Sequence, residues 1–229
     1  MIDMRVAIKL GGHLFPFDMD VTRISSYTDV LLRLKSEGHQ ILVVAGGGEV
    51  SRKYISTARR LGATEAFCDE LGIAVSRLNA SLLMAKLGEN AYPKSPSNQD
   101  ELRVALEGDK ITVLGGLQPG QSTNAVAAIA ADEMRADLLV NATNVEGVYT
   151  SDPKKDPKAK LLTEIDSSRL IEILFNKGFE AGGYELFDMV AAKIVERSKI
   201  PTVIIDGRKP ENIARVVHGE IMGTRLRYK

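Results

Sequence analysis

Short apolar runs alternate along the chain with longer stretches in which apolar residues recur at helical spacing. The runs cover residues 4–10, 41–45, 110–114, 137–142 and 201–205. The run at residues 41–45 has no polar residue, which is typical of a strand that is buried on both faces. Helices are predicted at residues 20–36, 49–61, 69–87, 124–135, 166–176, 187–198 and 210–217, with a shorter one capped by Asn98. The alternation predicts an α/β fold, a three-layer αβα sandwich with a mainly parallel central sheet.

The longest predicted helix covers residues 69–87, and Asp69 is expected to begin it. One face of this helix is predicted to pack against the core, and it carries Leu71, Val75, Leu78, Leu82 and Ala85. At 229 residues the chain is long enough for one domain, or for two lobes that share one sheet. A boundary between such lobes is expected near residues 116–119.

Glycines follow three of the predicted strands, at residues 11–12, 46–48 and 115–116. Glycine lets the backbone bend sharply, and a helix that begins directly afterwards offers N–H groups and a positive dipole end to an anion. Because the carboxyl ends of parallel strands meet at one edge of a sheet, the three turns are expected to lie side by side. Such a row of sites suits a donor nucleotide that faces a phosphorylated acceptor. For each turn alone, a tight connection without a ligand is the alternative.

The charge balance narrows the range of partners. Thirty basic and thirty acidic residues give a formal net charge of zero, which argues against broad binding to nucleic acid or an anionic membrane. The longest apolar run, residues 125–131, is too short to span a bilayer, and no signal peptide is expected. With one cysteine, Cys68, and three scattered histidines, no protein-held metal site is predicted. A cytoplasmic protein is expected.

Two basic residues lie close in sequence to the glycine turns. Lys9 is the last polar residue of the first predicted strand, and Arg52 lies one helical turn beyond Gly48. Phosphoryl transfer needs fixed positive charge and N–H donors around the transferred group, and these residues would supply them. The alternatives are a strand-end lysine that reaches solvent and a surface arginine that pairs with Glu49.

Three further groups of residues suit parts of a nucleotide. The Asp69 carboxylate suits ribose hydroxyls, although a plain helix cap is the alternative. Residues 118–123 form a loop of donors before a helix, suited to a phosphate or a base edge, or simply to turn and cap chemistry. The long stretch after residue 142 is typical of a binding loop, in which Tyr149 would lie against adenine, with Thr143 and Asp152 at its sugar or edge. A surface hairpin is the alternative for this stretch.

Five motifs, in order along the chain, resemble the amino acid kinase superfamily. They are KLGGH from Lys9, VVAGGGEVSRKY from Val43, DELGIAVSRLNA from Asp69, GGLQPGQSTNAVAA from Gly115 and NATNVEGVYTSDPKKDP from Asn141. The last two are similar in particular to the uridylate kinase branch in its archaeal form. The segment AGGYELFDMVAAKIVERSKIPTVIIDG from Ala181 agrees with this, and the resemblance covers nearly the whole chain.

The resemblance implies magnesium-dependent transfer of the γ-phosphate of ATP to UMP, giving UDP for pyrimidine nucleotide synthesis, in a homohexamer built from dimers. It implies a single domain over residues 1–229, with an acceptor-binding lobe near residues 1–120 and a nucleotide-binding lobe near 121–229. Lys9 and Arg52 would be catalytic. ATP would be bound by Lys9, Leu10, Gly11, Gly12, His13, Gly48, Arg52, Thr143, Asn144, Tyr149 and Asp152. UMP would be bound by Gly47, Asp69, Leu117, Gln118, Pro119, Gly120, Gln121, Ser122 and Thr123.

The chain departs from the family pattern at two places. Asn124 stands where many relatives have an aspartate that orients the catalytic lysine or magnesium, so the charge is lost and the shape is kept. Residues 184–188 contain no second lysine, which some branches have there. Positive charge at the transferred phosphate is therefore expected mainly from Lys9, Arg52 and magnesium.

Two rival functions remain open. The first is a kinase of the same fold that acts on acetylglutamate, carbamate or isopentenyl phosphate. Asp69 argues against it, because a carboxylate for ribose hydroxyls is out of place beside such acceptors, and Glu49 replaces the histidine that isopentenyl phosphate kinases have after the glycine turn. The second is a nucleotide-binding or storage protein without catalysis. Lys9 and Arg52 argue against it, and Asn124 argues slightly for it.

Overall fold

The computed structural model describes residues 3–151, 156, 158–176 and 187–228. Within these residues seven strands form one sheet in the order β3-β2-β1-β4-β6-β7-β5. The strands are β1 (Arg5–Leu10), β2 (Gln40–Ala45), β3 (Thr112–Leu114), β4 (Leu138–Thr143), β5 (Glu164–Asp166), β6 (Thr202–Asp206) and β7 (Thr224–Arg227). Neighbouring strands are parallel except β6 and β7, which are antiparallel. The predicted mainly parallel sheet is confirmed.

Helices cover both faces of the sheet. They are α1 (Val21–Ser36), α2 (Gly48–Arg60), α3 (Glu65–Leu87), α4 (Gln99–Leu106), α5 (Thr123–Met134), α6 (Ser167–Asn176), α7 (Met189–Ser198) and α8 (Glu211–Val217). Alternate residues of β1 face opposite layers, because Ile8 packs in the cluster with α1, α3 and α8, whereas Ala7 packs in the cluster with α4, α5 and α7. The three-layer αβα arrangement is therefore confirmed. Among the described helices, none is long and apolar enough to cross a membrane.

Helix α3 differs from its prediction in two respects. It begins at Glu65, and the Thr64 hydroxyl caps it by accepting a hydrogen bond from the Phe67 amide at 3.3 Å, so the prediction that Asp69 begins the helix is wrong. The predicted core face is also wrong, because Leu78 is 66% exposed and Leu82 is 40% exposed. The buried side chains are Cys68, Val75, Ser76, Asn79, Ala80, Leu83 and Leu87. This buried face includes the polar residues Ser76 and Asn79. Their burial is possible because both form hydrogen bonds with neighbouring loops.

Two strands, β7 and β5, were not predicted, and they are the last two in the order of strands across the sheet. β5 and β7 are three and four residues long and carry charged residues at alternate positions. The long stretch after β4 also turns back on itself, since Tyr149 and Leu161 form an antiparallel bridge. The Leu162 amide bonds to the Val148 carbonyl at 2.8 Å. This pairing matches the hairpin alternative for the stretch.

Candidate active site

The carboxyl ends of four parallel strands meet at one edge of the sheet and are tied to one another by backbone hydrogen bonds. These bonds run from the Gly11 amide to the Ala142 carbonyl at 2.9 Å, from Gly46 to Leu10 at 3.0 Å and from Gly207 to Thr143 at 2.6 Å. The turns after β1, β2, β4 and β6 therefore adjoin, as the sequence predicts for a parallel sheet.

The turns after β1 and β2 touch backbone to backbone. A Cβ atom placed on Gly12 would lie 2.9 Å from the Cα atom of Gly48. Gly48 itself has φ +70°, and a Cβ there would lie 2.2 Å from the carbonyl oxygen of Phe15. No other residue fits at these two positions without moving the main chain. The two glycine turns thus form one continuous backbone surface at the edge of the sheet.

Lys9 is the penultimate residue of β1 and comes two residues before the first glycine turn. It is 7% exposed and is paired in register with Asn141 of β4. Because Lys9 is two residues from Ala7, it shares the sheet face on which α5 packs. Asn124, in the first turn of α5, is also 7% exposed, and its Oδ1 atom has no hydrogen-bond partner among the described residues. A buried ammonium group and buried amides thus belong to one side of the strand ends.

Arg52 lies above the two turns. It is on the exposed side of α2, and its Nη1 atom is 3.8 Å from the position of a Cβ on Gly12. The carboxylate of Glu49 accepts a hydrogen bond from the Phe17 amide at 2.9 Å, and no ion pair of the described residues joins Glu49 to Arg52. The guanidinium group therefore lies near the glycine backbone.

Asp69 and the loop after β3 are brought together. Asp69 lies in the second turn of α3, and its Oδ2 atom accepts a hydrogen bond from the Gly120 amide at 2.8 Å. Of the loop residues, Gln118, Pro119, Gly120 and Ser122 are exposed. The structure therefore joins two parts of the predicted UMP site that are far apart in sequence, through a bond that the sequence did not predict.

The loop leads into the N-terminus of α5. Ser122 caps this helix, since its hydroxyl accepts from the amides of Asn124 at 3.1 Å and Ala125 at 3.0 Å. The same hydroxyl donates to the carboxylate of Asp188, which in turn caps α7 by accepting from the Ala191 amide at 3.0 Å. Asp188 therefore links the starts of two helices. This residue was missed by the sequence analysis, which began the helix at residue 187, although an aspartate at the start of a helix is a recognisable cap.

Other residues that the sequence analysis missed are on α3. Ser76, Arg77 and Asn79 bond to the turns after β2 and β3. The sequence did carry a signal for these contacts, because Ser76, Arg77 and Asn79 are polar residues in the middle of a helix that is predicted to have an apolar face. A polar residue that is buried must find hydrogen-bond partners, and here the partners are loop carbonyls and amides.

The stretch after β4 carries the residues predicted for adenosine. Thr143 is buried at the end of β4, and Asn144 follows it in an exposed position. The Tyr149 hydroxyl donates to the Glu146 carboxylate at 2.6 Å, and this bond is the main cause that raises the pKa of Tyr149 to about 12. Tyr149 therefore keeps its proton at neutral pH. Asp152, also predicted here, lies outside the described residues.

His13 belongs to the turn after β1, and its ring lies near the turn after β6. Its Nε2 atom is 3.5 Å from the hydroxyl of Tyr27, and that hydroxyl donates to the Gly207 carbonyl. Burial lowers the pKa of His13, and the nearby charge of Lys9 lowers it further. His13 is therefore neutral at pH 7. Two basic side chains lie near it, because the Arg23 guanidinium donates to the His13 carbonyl at 3.2 Å and Lys9 is close enough to lower its pKa. Asp206, at the end of β6, has its pKa lowered chiefly by hydrogen bonds from the Arg208 guanidinium at 2.7 and 2.9 Å.

The sequence of this protein matches a known family over most of its length. Residues 4–206 fit the family model described as the amino acid kinase family. The chain belongs to the amino acid kinase family. Within that family it is similar to the uridylate kinase of Methanobrevibacter smithii, at 44% identity over 97% of this chain and 99% of the relative. It is 46% identical to the uridylate kinase of Methanosarcina barkeri, over 95% of this chain and 93% of the relative.

A solved structure of an amino acid kinase family member agrees with this fold. The crystal structure of the uridylate kinase from Archaeoglobus fulgidus is 39% identical and superposes with a TM-score of 0.87, over 98% of this chain and 100% of that one. The predicted membership of the amino acid kinase superfamily is therefore confirmed, and so is its fold. The roles of the individual site residues stay predictions.

Proposed function

We propose that this chain is a uridylate kinase, which transfers the γ-phosphate of ATP to UMP and releases ADP and UDP. One observation carries the proposal: two arrangements lie together at the carboxyl ends of the parallel strands. The first is the pair of glycine turns beside Lys9, and the second is the contact between Asp69 and Gly120. The first arrangement suits phosphates, and the second suits the ribose and phosphate of a nucleotide acceptor. The relatives named uridylate kinase support the same function.

In the proposed reaction an oxygen of the UMP phosphate attacks the γ-phosphorus of ATP, and the bond from that phosphorus to the ADP oxygen breaks. The protein contributes placement and charge rather than a covalent intermediate. Lys9 and the amide of Gly12 hold the oxygens of the transferred group, and Arg52 adds a second positive charge beside them. The Gly11 amide, which the sequence analysis grouped with these donors, is already bonded to the Ala142 carbonyl. Asp69 and residues 117–123 hold UMP, while Thr143, Asn144, Tyr149 and Asp152 hold the adenosine of ATP.

We propose that magnesium enters with ATP. Magnesium prefers oxygen ligands and keeps several of its waters and substrate phosphates, so it does not require a cage of protein carboxylates. The buried Oδ1 atom of Asn124 is an oxygen without a hydrogen-bond partner among the described residues, and it fits this demand. The bound ion would offset negative charge on the phosphates. Titration of Asn124→Asp with MgATP is expected to give tighter nucleotide binding than wild type, because the charge is restored.

We also propose a cytoplasmic homohexamer that serves pyrimidine nucleotide synthesis. An apolar patch on one helix supports self-association: Phe67, Leu78 and Leu82 of α3 are 50%, 66% and 40% exposed. Light scattering is expected to give six times the 24.9 kDa of one chain. Leu78→Glu is expected to yield smaller species, and an unchanged mass would exclude this patch from the assembly.

A panel of acceptors tests the proposed function. ADP release is measured with ATP, magnesium and one of UMP, acetylglutamate, carbamate or isopentenyl phosphate, and turnover is expected with UMP alone. Asp69→Asn is expected to raise the KM for UMP about tenfold or more, because a neutral amide binds ribose hydroxyls less strongly than a carboxylate. Glu70→Gln, at the exposed neighbouring position, is the matched control. Turnover with another acceptor, or none, would contradict the proposal.

A further inference from the structure

Helix α3 bonds to the turns that follow two different strands. Asn79 is 1% exposed, and its Nδ2 atom donates to the carbonyl of Gly46 at 2.8 Å and to that of Gly47 at 3.1 Å. Two residues earlier, Arg77 donates from Nε to the Gly116 carbonyl at 2.9 Å and from Nη2 to the Leu117 carbonyl at 3.1 Å. One rigid element therefore holds the turn after β2 and the loop after β3.

The loop after β3 also rests directly on the backbone of α3. The Gly116 amide donates to the Ser76 hydroxyl at 2.7 Å, so both polar groups of Gly116 are bonded to the helix. A Cβ atom on Gly115 would lie 2.5 Å from the amide nitrogen of Arg77. This close approach fixes the loop's position along the helix. The Nη2 atom of Arg77 also donates to the Ser97 carbonyl at 3.1 Å, which gives the guanidinium a third carbonyl partner.

We propose that Arg77 and Asn79 are positioning residues that set the separation between the two halves of the site. Arg77 places the acceptor loop, whereas Asn79 places the glycine turn that serves both donor and acceptor. The inference rests on the proposed function, since it assigns the loop to UMP and the turn to both nucleotides. In-line transfer requires reacting atoms to approach within about 3–3.5 Å, and a misplacement of about 1 Å costs about 10²-fold in rate. The spacing of the two turns is therefore a property on which turnover depends.

The two residues are expected to give different kinetic signatures. Arg77→Met removes every bond from the guanidinium to the loop, so the KM for UMP is expected to rise about tenfold or more while the KM for ATP stays within about twofold. Arg77→Lys keeps the charge but offers one donor group, so an intermediate KM for UMP is expected. Arg60→Met, at an exposed position of α2, is the matched control and is expected to behave as wild type.

Asn79→Asp tests the other anchor. A carboxylate has no N–H to donate and would bring its oxygens towards two carbonyl oxygens, so the turn at residues 46–47 is expected to shift. The KM values for ATP and UMP are then both expected to rise, in contrast to the selective effect of Arg77→Met. A rise for UMP alone, or no change, would overturn the role of Asn79. Thermal melting of each variant checks that it is folded.

Backbone amide hydrogen exchange, measured without ligand, tests whether Arg77 and Asn79 hold the two turns. This test does not depend on the proposed function. In Arg77→Met, amides of residues 115–121 are expected to exchange at least about tenfold faster than in wild type, and those of residues 46–48 at the wild-type rate. In Asn79→Asp, exchange at residues 46–48 is expected to increase. Unchanged exchange at both segments would overturn the inference, whatever the activity. Failure of the wild-type protein to phosphorylate UMP would instead contradict the proposed function, and leave the exchange result to decide the structural role.

Discussion

Replacement of Lys9 by methionine tests how this site would act on phosphate. The side chain of Lys9 is 7% exposed at the end of β1, two residues before the turn that touches Gly48. Its ammonium group is thus a charge held in place before the substrate arrives. Removal of one such preorganised group costs about 10²–10³ in turnover, which corresponds to about 2.7–4 kcal/mol of transition-state stabilisation. We expect this loss in kcat for Lys9→Met.

The loss is expected in kcat rather than in acceptor binding. Lys9 is assigned to the transferred phosphate, whereas the proposed contacts to UMP come from Asp69 and residues 117–123, so the KM for UMP is expected to change by less than about threefold. The assay is coupled detection of ADP at saturating ATP, magnesium and UMP. Lys110→Met, at an exposed position before β3, is the matched control. Methionine fills a similar volume, so the melting temperature should remain near that of wild type. Turnover within about threefold of wild type would refute the assignment of Lys9.

Three further predictions concern the backbone and the buried groups near the site. Gly48→Ala forces a side chain into φ +70° and against the Phe15 carbonyl, so its melting temperature is expected to fall by about 5 °C or more, and an unchanged value would contradict the close contact. Tyr27→Phe leaves the Gly207 carbonyl without its hydroxyl donor, at a cost of about 1–3 kcal/mol, which denaturant titration measures. Burial lowers the pKa of His13, so the unfolded chain takes up a proton at a higher pH than the folded one. Stability is expected to fall as pH drops below about 6.5, and His13→Gln is expected to flatten that fall in melting curves recorded from pH 7 to 5.

The central strands could be predicted because their signal is local. A run such as residues 41–45 is apolar throughout, and the glycines that follow it mark the turn into a helix. β5 and β7 gave no such signal, because each is short and has charged residues at alternate positions on an edge of the sheet. Their pairing depends on segments about 60 residues apart in sequence, as the Ile165–Leu226 pair shows, and periodicity along the chain does not record such contacts.

Helix α3 shows why the contacts that anchor the candidate site could not be predicted. Apolar spacing favoured the face of Leu78 and Leu82, but the buried face includes Ser76 and Asn79, which are satisfied by bonds to loops 32 to 40 residues away. Burial of a polar residue is favourable only when such partners exist, and the sequence does not state which loops arrive there. The glycine turns were predictable because strand, glycine and helix are adjacent in the chain. The Asp69–Gly120 bond joins distant segments, so only the separate residues were predicted.

Phosphorus NMR of the reaction mixture tests the central claim most directly. Purified protein is mixed with ATP, magnesium and UMP, and the phosphorus signals of ATP, ADP, UMP and UDP are followed over time. The account predicts that UDP and ADP appear in equal amounts in the wild-type reaction, and about 10²-fold more slowly with Lys9→Met. ADP and free phosphate without UDP, or no reaction at all, would contradict the assignment of this chain as a kinase that acts on UMP.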